Sequence, residues 1–401
     1  MSQSFQFNDP DSAIVALAER LRIISDTESV ADPIGRILAA PIVADRDSPA
    51  ADVSAMDGYA IHIADLKPDC DIDVSAESKP GAPPPAMVAG KVVRIFTGAI
   101  IPAGCEAIVK REDTIESNHS IRFLTEAIDA TVPGSHVRRT GENAAVGSDV
   151  LGIGAEITPA SIAALANFGC MAPLCYRPVK VAVLTTGDEV VDPKTITLEP
   201  WQLRNSNQAA VLAMLRRQTI ADVQIVQHVP DHRDSVTLAM KTAIETCDVV
   251  VMTGGVSKGD YDYVPETIQS VGGNMVFHGL PIRPGKPILG AATDDGKLLL
   301  GLPGNPVSTT INCHRFLLPM LRHIAGKQCW MNDASIVSLK QPPTNAIPLH
   351  TMPLVRMLDN ATAELVPAKG SGDLVALGQS DGYVCIPPMT TTTGPWLMYR
   401  W

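Results

Sequence analysis

Four short segments carry small, conformationally free residues, three of them together with carboxylates, a composition suited to an anionic ligand. They read TTGDE at 185–189, PDHR at 230–233, TGGVSKGDYD at 253–262 and LPGNP at 302–306. Gly254 and Gly255 permit close backbone approach, and the amides that follow through Ser257 and Gly259 can form a nest for a phosphate. An ordinary glycine turn is the competing explanation. Asp260 and Asp262 in the same loop suit a phosphate held together with a hard cation, against the alternative of solvated surface acids. In PIRPGKP, at 281–287, three prolines hold Arg283 and Lys286 in a rigid loop that reads as an oxyanion clamp or as an exposed basic turn. Pro303 and Pro306 frame a turn directly before a helix, where unpaired amides favour an anion, unless they only set the turn geometry. The loops match neither G-x-x-x-x-G-K-[ST] nor G-x-G-x-x-G, which removes the main sequence support for a nucleotide triphosphatase or a dinucleotide enzyme.

These segments sit at the ends of predicted strands. From Val179 to about Ala325 the runs VKVAVLTT, ADVQIVQHV, DVVVMTGG and KLLLGLPGNP alternate with amphipathic helical stretches. SNQAAVLAMLRRQ is one of these, with Ser206 or Asn207 near its cap. Continuous Val/Ile/Leu runs between amphipathic helices predict a doubly wound, mostly parallel sheet covered on both faces. Ligands of such sheets bind beyond the carboxyl ends of the strands. Upstream, Asp9 and Pro10 open a helix carrying Ile14, Leu17, Ala18 and Leu21 on one face, and periodicity alone does not say what it packs on. Residues from Ala44 to about Arg139 read as a β-rich module, ITPASIAALANFGC as a return to helix, and the chain after Lys327 as a small β domain.

The chain has 401 residues, enough for two to four domains, and 45% hydrophobic with 19% charged residues describes an ordered globular protein. With 43 acidic against 32 basic side chains, the net charge of −11 argues against a surface that tracks nucleic-acid phosphates, and 4% aromatics is too few for a base-stacking platform. Any anion must be held locally. The N-terminus MSQSFQFNDPDSAI has neither a basic start nor an apolar core, and no stretch is apolar enough for a membrane span, so a cytoplasmic protein without membrane contact is expected. The eight cysteines are dispersed; only Cys170 and Cys175 lie close, and without a second pair they read as buried thiols rather than zinc ligands.

TTGDE, TGGVSKGDYDY, PIRPGKP and GLPGNPVS, in that order, resemble the molybdopterin molybdenumtransferase family, which includes the gephyrin E domain. VSAMDGYA, IFTGAIIPAGCEAIV and VRRTGEN upstream are similar to that family's remaining signatures. The resemblance implies a four-part α/β multidomain architecture. It comprises a discontinuous helical layer (1–44 and 144–177, the first helix alternatively on the α/β domain), a β-rich insertion (45–143), a central α/β molybdopterin-binding domain (178–326) and a C-terminal β barrel (327–401). It also implies a homodimer, with an active cleft between the α/β domain of one subunit and the insertion of the other. The implied reaction inserts molybdate into the dithiolene of adenylylated molybdopterin and releases AMP, with magnesium as cation. Possible partners are a molybdopterin adenylyltransferase and molybdoenzymes. By motif position, Asp57, Thr97, Glu189, Asp231 and Asp262 match residues of the active cleft, the three last also as magnesium ligands. Thr186, Gly254, Gly255, Ser257, Gly259, Asp260, Arg283, Lys286, Pro303, Pro306, Arg138, Glu142 and Asn143 match cofactor-binding positions. Three features depart from the family. Asn143 stands where an acid is frequent and should weaken cation binding. Arg283 stands where lysine is common, and the C-terminal IPPMTTTTGPWLMYRW is more polar than a last barrel strand is expected to be. These departures motivate the alternative of a non-catalytic molybdopterin-binding paralogue or scaffold.

Overall fold

Three of the apolar runs are buried almost end to end, and consecutive residues in them serve opposite faces of one sheet. A computed structural model describes residues 5–257, 262–343 and 346–401. The sheet contains β1 (Val179–Thr186), β2 (Ala221–Val229), β3 (Val249–Thr253), β4 (Gly273–His278), β5 (Leu289–Thr293) and β6 (Leu298–Leu302), in the order β2-β1-β3-β6-β5-β4. The first four in that order are parallel; β5 runs antiparallel to both β6 and β4. Val181, Val183, Val249, Val251, Leu298 and Leu300 face one core. Ala182, Leu184, Val250, Met252 and Leu299 face the other. This period of two gives each face its own helical cover.

The first face is covered by α1 (Pro10–Ala18), α2 (Ser206–Arg216), and α5 (Pro306–Asn312) with α6 (Leu318–Ile324), the last two joined by a π-helical stretch, Cys313–Leu317. The second is covered by α3 (Arg233–Thr246) and α4 (Val264–Ser270). Helix α1 begins at Asp9, whose carboxylate accepts from Ser12 N at 2.8 Å, with Pro10 at the first helical position. Its buried Ala13, Ile14 and Leu17 share a core with the sheet. A Cβ at Gly290 on β5 would come within 3.0 Å of Leu17 and closer still to Phe277, so glycine there lets the helix settle on the strand. Of the two positions open from periodicity, the helix therefore takes the α/β one.

Arg177 ties the starts of β1 and β3 together. Its guanidinium grips Asp248 through two hydrogen bonds of 2.8 and 3.0 Å and reaches Asp26 at 2.9 Å, while Lys180 N donates to Asp248 at 2.8 Å. Burial alone would raise the Asp248 carboxyl, but Arg177 and the Lys180 amide outweigh it and hold it below the usual carboxylate range. A depressed folded pKa contributes stability above the unfolded value near 3.9, and that contribution is lost as pH falls through the folded value. Asp248→Asn is expected to cost about 1.5–3 kcal/mol at pH 7. The gap to the parent should narrow as pH falls below the unfolded value near 3.9 in denaturant titrations; a gap independent of pH would contradict the pairing.

By contact density the chain divides into two compact units, residues 1–40, 153–159 and 172–401, and residues 41–152 with 160–171. The expected helical layer at 1–44 and 144–177 is mostly not helical. Among its described residues it contributes, besides α1, only the helix Pro159–Asn167. The remainder forms short antiparallel ladders, Thr27–Ser29 with Leu174–Tyr176 and Ile42–Val43 with Asp149–Leu151. Pairs this short and this distant in sequence leave no periodic signal.

The second unit is built on a six-stranded sheet in the order Ala107–Lys110, Gly58–Ile61, Val92–Ile95, Ile72–Ser78, Ser120–Phe123, Thr114–Glu116. Tyr59, Ile61, Val109, Ile121 and Phe123 pack on one side of it, and Ala60, Val93, Ile95 and Ile108 on the other. In the first unit the C-terminal residues form a closed five-stranded barrel filled by Val337, Val355, Ala363, Val384 and Met398. Its last strand, Trp396–Arg400, pairs with both Ser335–Leu339 and Gly382–Cys385. The polar threonines precede that strand, so the unusual tail still closes the barrel. All eight cysteines are free thiols.

Candidate active site

At the carboxyl end of the α/β sheet, Thr186 closes β1 and Gly187 turns the chain with φ +129°. A two-residue parallel pairing of Val190–Val191 with Leu203–Arg204, extended by Leu203 N donating to Glu189 O at 2.8 Å, fixes the backbone of Glu189. The Asp231 amide donates to Asp188 Oδ1 at 3.2 Å, which places the turns after β1 and β2 side by side. Gly254 and Gly255 leave β3 with φ +88° and +63°. A Cβ on Gly254 would lie 2.8 Å from Thr186 Oγ1, so only glycine carries this loop across the end of β1. Gly254 N donates to Leu302 O at 3.2 Å, bringing the turn after β6 to the same place. Thus Thr186, Gly254, Gly255 and the 303–306 turn come together, with Glu189 and Asp231 on adjacent turns. Val256 is buried behind the loop, its carbonyl 2.9 Å from His278 Nε2, and Ser257 is exposed. Gly259 and Asp260 lie outside the described residues, as do Lys258 and Tyr261. Asp262 stands two residues before α4 and is engaged in an interaction of its own.

Two asparagines support these turns. Asn205, rather than Ser206 or Asn207, caps α2 by accepting from Gln208 N, and its Nδ2 donates to Thr185 Oγ1 at 2.8 Å. Asn207 Nδ2 donates to Gly304 O at 2.7 Å, while its buried Oδ1 has no partner among the described residues. From sequence, Asn207 is expected only near the helix cap. The expected anion site at the start of α5 is partly spent: Pro306 has no N–H, and Val307 N already donates to Ser371 O at 2.9 Å.

The basic loop is anchored from outside the sheet. Ile282–Arg283 pairs in parallel with His350–Thr351, and Met352 N donates to Arg283 O at 2.7 Å. Leu280 N to Lys286 O at 2.9 Å and Ile288 N to Gly285 O at 3.0 Å close the loop. The Arg283–Pro284 bond is cis, and both cationic side chains are exposed.

In the second unit, one Asp57 oxygen accepts from both Thr97 N at 2.7 Å and Thr97 Oγ1 at 2.8 Å. The Thr97 amide, then its hydroxyl, hold the Asp57 carboxyl below the usual range. Thr97 therefore spends its hydroxyl proton on aiming Asp57. Arg111, whose amide donates to Asp57 O at 3.0 Å, grips Glu116 through Nε and Nη2 at 2.7 and 3.0 Å, and Tyr59 donates to the same carboxylate at 2.7 Å. Arg111 and Tyr59 draw Glu116 down to about 2. Burial and the Glu116 charge push Tyr59 up to about 12. This network went unread in the sequence because it depends on strand register.

Arg138 donates to Glu142 and, at 2.8 Å, to Asn143 Oδ1; Arg139 N also donates to Glu142 at 2.9 Å. The Asn143 oxygen is thus an Arg138 partner in this structure. Among the described residues no three carboxylate, imidazole or thiolate groups come together to hold a metal ion. Glu189, Asp231 and Asp262, expected to ligate magnesium or to orient bound molybdopterin, make no preformed cage among the described residues. They are hard oxygen donors, suited to magnesium only where a ligand's own oxygens complete the shell.

Residues 182–323 match the family described as a probable molybdopterin binding domain, and residues 9–169 match the MoeA N-terminal region, domains I and II. The fold and its strand-end turns thus define a multidomain α/β protein of the molybdopterin-binding class. A curated molybdopterin molybdenumtransferase of a Nostoc species is 35% identical over 328 residues, covering 79% of this chain and 74% of that one. The Haemophilus influenzae protein of the same name is 32% identical over 326 residues, covering 80% and 78%. The crystal structure of a molybdopterin biosynthesis MoeA protein from Pyrococcus horikoshii OT3 shares the fold, with a TM-score of 0.81 at 24% identity over 97% of this chain and 99% of that one. The chain belongs to the molybdopterin molybdenumtransferase family, and is a transferase of molybdenum cofactor biosynthesis.

Proposed function

We propose that the protein inserts molybdenum from molybdate into the dithiolene of adenylylated molybdopterin and releases AMP. The supporting observation is the junction of Thr186, Gly254 and Gly255 with the carboxylate-bearing turns at the sheet's carboxyl end. The chemistry balances: the two dithiolene sulfurs replace one molybdate oxygen, which departs as water with the thiol protons. One water is consumed in cleaving the phosphoanhydride, leaving molybdopterin phosphate and AMP. The glycine-loop amides, Arg283 and Lys286 bind the two phosphates, and Ser257 adds a hydroxyl donor. Glu189, Asp231 and Asp262 orient the substrate and would hold magnesium, which would supply charge neutralisation at the anhydride. Asp57, aimed by Thr97, acts on the reacting groups, and Arg138 with Glu142 and Asn143 assists molybdate handling.

We read the protein as a cytoplasmic homodimer that takes its substrate from a molybdopterin adenylyltransferase and passes its product to molybdoenzymes. No helix of the described residues is long and apolar enough to cross a membrane. Incubation with a large excess of adenylylated molybdopterin, magnesium and molybdate is expected to yield many AMP per chain, and far less when molybdate is omitted. Tight binding with no more than one AMP per chain would favour a scaffold instead, the reading that Asn143 motivates.

A further inference from the structure

The described chain begins with a short arm whose two aromatic residues alternate with polar ones. In Phe5-Gln6-Phe7-Asn8 both rings are half-buried and both polar side chains exposed. Phe7 is the anchor: its ring meets the buried Phe277 edge-on at 6.3 Å, and Phe277 in turn contacts Phe316 at 6.1 Å. The base of the arm is fixed twice more, by the Asp9 cap on Ser12 and by the ion pair of Asp11 with the buried Arg315. The arm held at Phe7 carries Phe5 to the basic loop, where the Lys286 ammonium lies over the Phe5 ring, 5.5 Å from its centroid.

We propose that Phe5 is a positioning residue for Lys286, and that the arm thereby sets the affinity of the basic loop for the phosphate-bearing substrate. The inference rests on the reading of Lys286 as an oxyanion clamp. A lysine ammonium sits on a flexible four-carbon stem, and ordering that stem consumes part of the binding energy of any anion it meets. The loop backbone is already closed by Leu280 N to Lys286 O, which leaves the side chain as the mobile part. A ring face restrains the ammonium without using its N–H donors, so the cation remains competent to bind an oxyanion. Phe5 contributes through its quadrupole, and an aliphatic side chain of similar size cannot substitute for it.

The experiment uses the full chain and reads AMP release at varied adenylylated molybdopterin. Phe5→Leu is expected to raise KM about two- to fivefold with kcat and the unfolding midpoint unchanged, and Phe5→Tyr to restore the parent value. In a Lys286→Met background, Phe5→Leu is expected to change nothing further. An effect of Phe5→Leu equal with and without Lys286, or no effect in the presence of Lys286, would overturn the proposal. If Lys286→Met itself leaves KM unchanged, the clamp reading fails first, and the two failures are told apart by that single variant.

Discussion

Replacing Asp57 by asparagine is expected to lower kcat for molybdate-dependent AMP release by about a hundred- to a thousandfold while the fold persists. One Asp57 oxygen is committed to Thr97 N and Oγ1, and the backbone carbonyl of the same residue accepts from Arg111 N. An asparagine oxygen keeps both Thr97 contacts, so turn and strand are retained; only the negative charge disappears. The Thr97 contacts hold this carboxyl below the usual carboxylate range, so the parent carries a charge at neutral pH that the variant removes. Thr97→Val should give a smaller loss, because the Thr97 amide still aims the carboxylate. The assay is single-turnover AMP release beside a thermal melt. Asp57→Asn activity within tenfold of the parent, with an unchanged melt, would remove Asp57 from the chemistry.

The second large effect is expected at Gly285. Its φ of +99° disfavours any side chain, and a Cβ there would lie 1.7 Å from Asn312 Nδ2. Asn312 cannot give way easily: it is fully buried on α5, and the same nitrogen donates to Ser308 O at 2.7 Å. Backbone strain and overpacking together predict that Gly285→Ala costs about 2–5 kcal/mol of stability. The loop must also move, and with it Arg283 and Lys286, so KM for the adenylylated substrate should rise by about tenfold or more. Chemical denaturation measures the first effect and steady-state kinetics the second. An unchanged denaturation midpoint would show that the loop and α5 are not packed as described.

How much of this was legible in the sequence follows from the range of the interactions. The α/β layers were readable because VKVAVLTT, VVVMT and LLLGL carry their burial in a continuous apolar run, and Gly254 and Gly255 announce a loop that only glycine permits. The place of α1 was not readable, because it depends on Leu17 meeting a strand whose permissive residue, Gly290, lies far along the chain. The Tyr59–Glu116–Arg111 network was hidden for a related reason. Gly58–Ile61 must first pair with Ala107–Lys110 in one register before Arg111 stands beside Asp57. The short ladders that replaced the helical layer pair segments of two or three residues, too short for any period to show. Motif order fixes which loops bearing Glu189, Asp231 and Asp262 approach one another but not where their carboxylates point, and among the described residues they form no preformed cage.

The most direct test of the central claim measures AMP and molybdenum-loaded molybdopterin in the same quenched samples over a time course. The account predicts that the two appear together in a one-to-one ratio and that both depend on molybdate. AMP released at the same rate without molybdate would instead describe a phosphoanhydride hydrolase, and metal-loaded pterin formed without AMP would separate insertion from anhydride cleavage; either result would contradict the account.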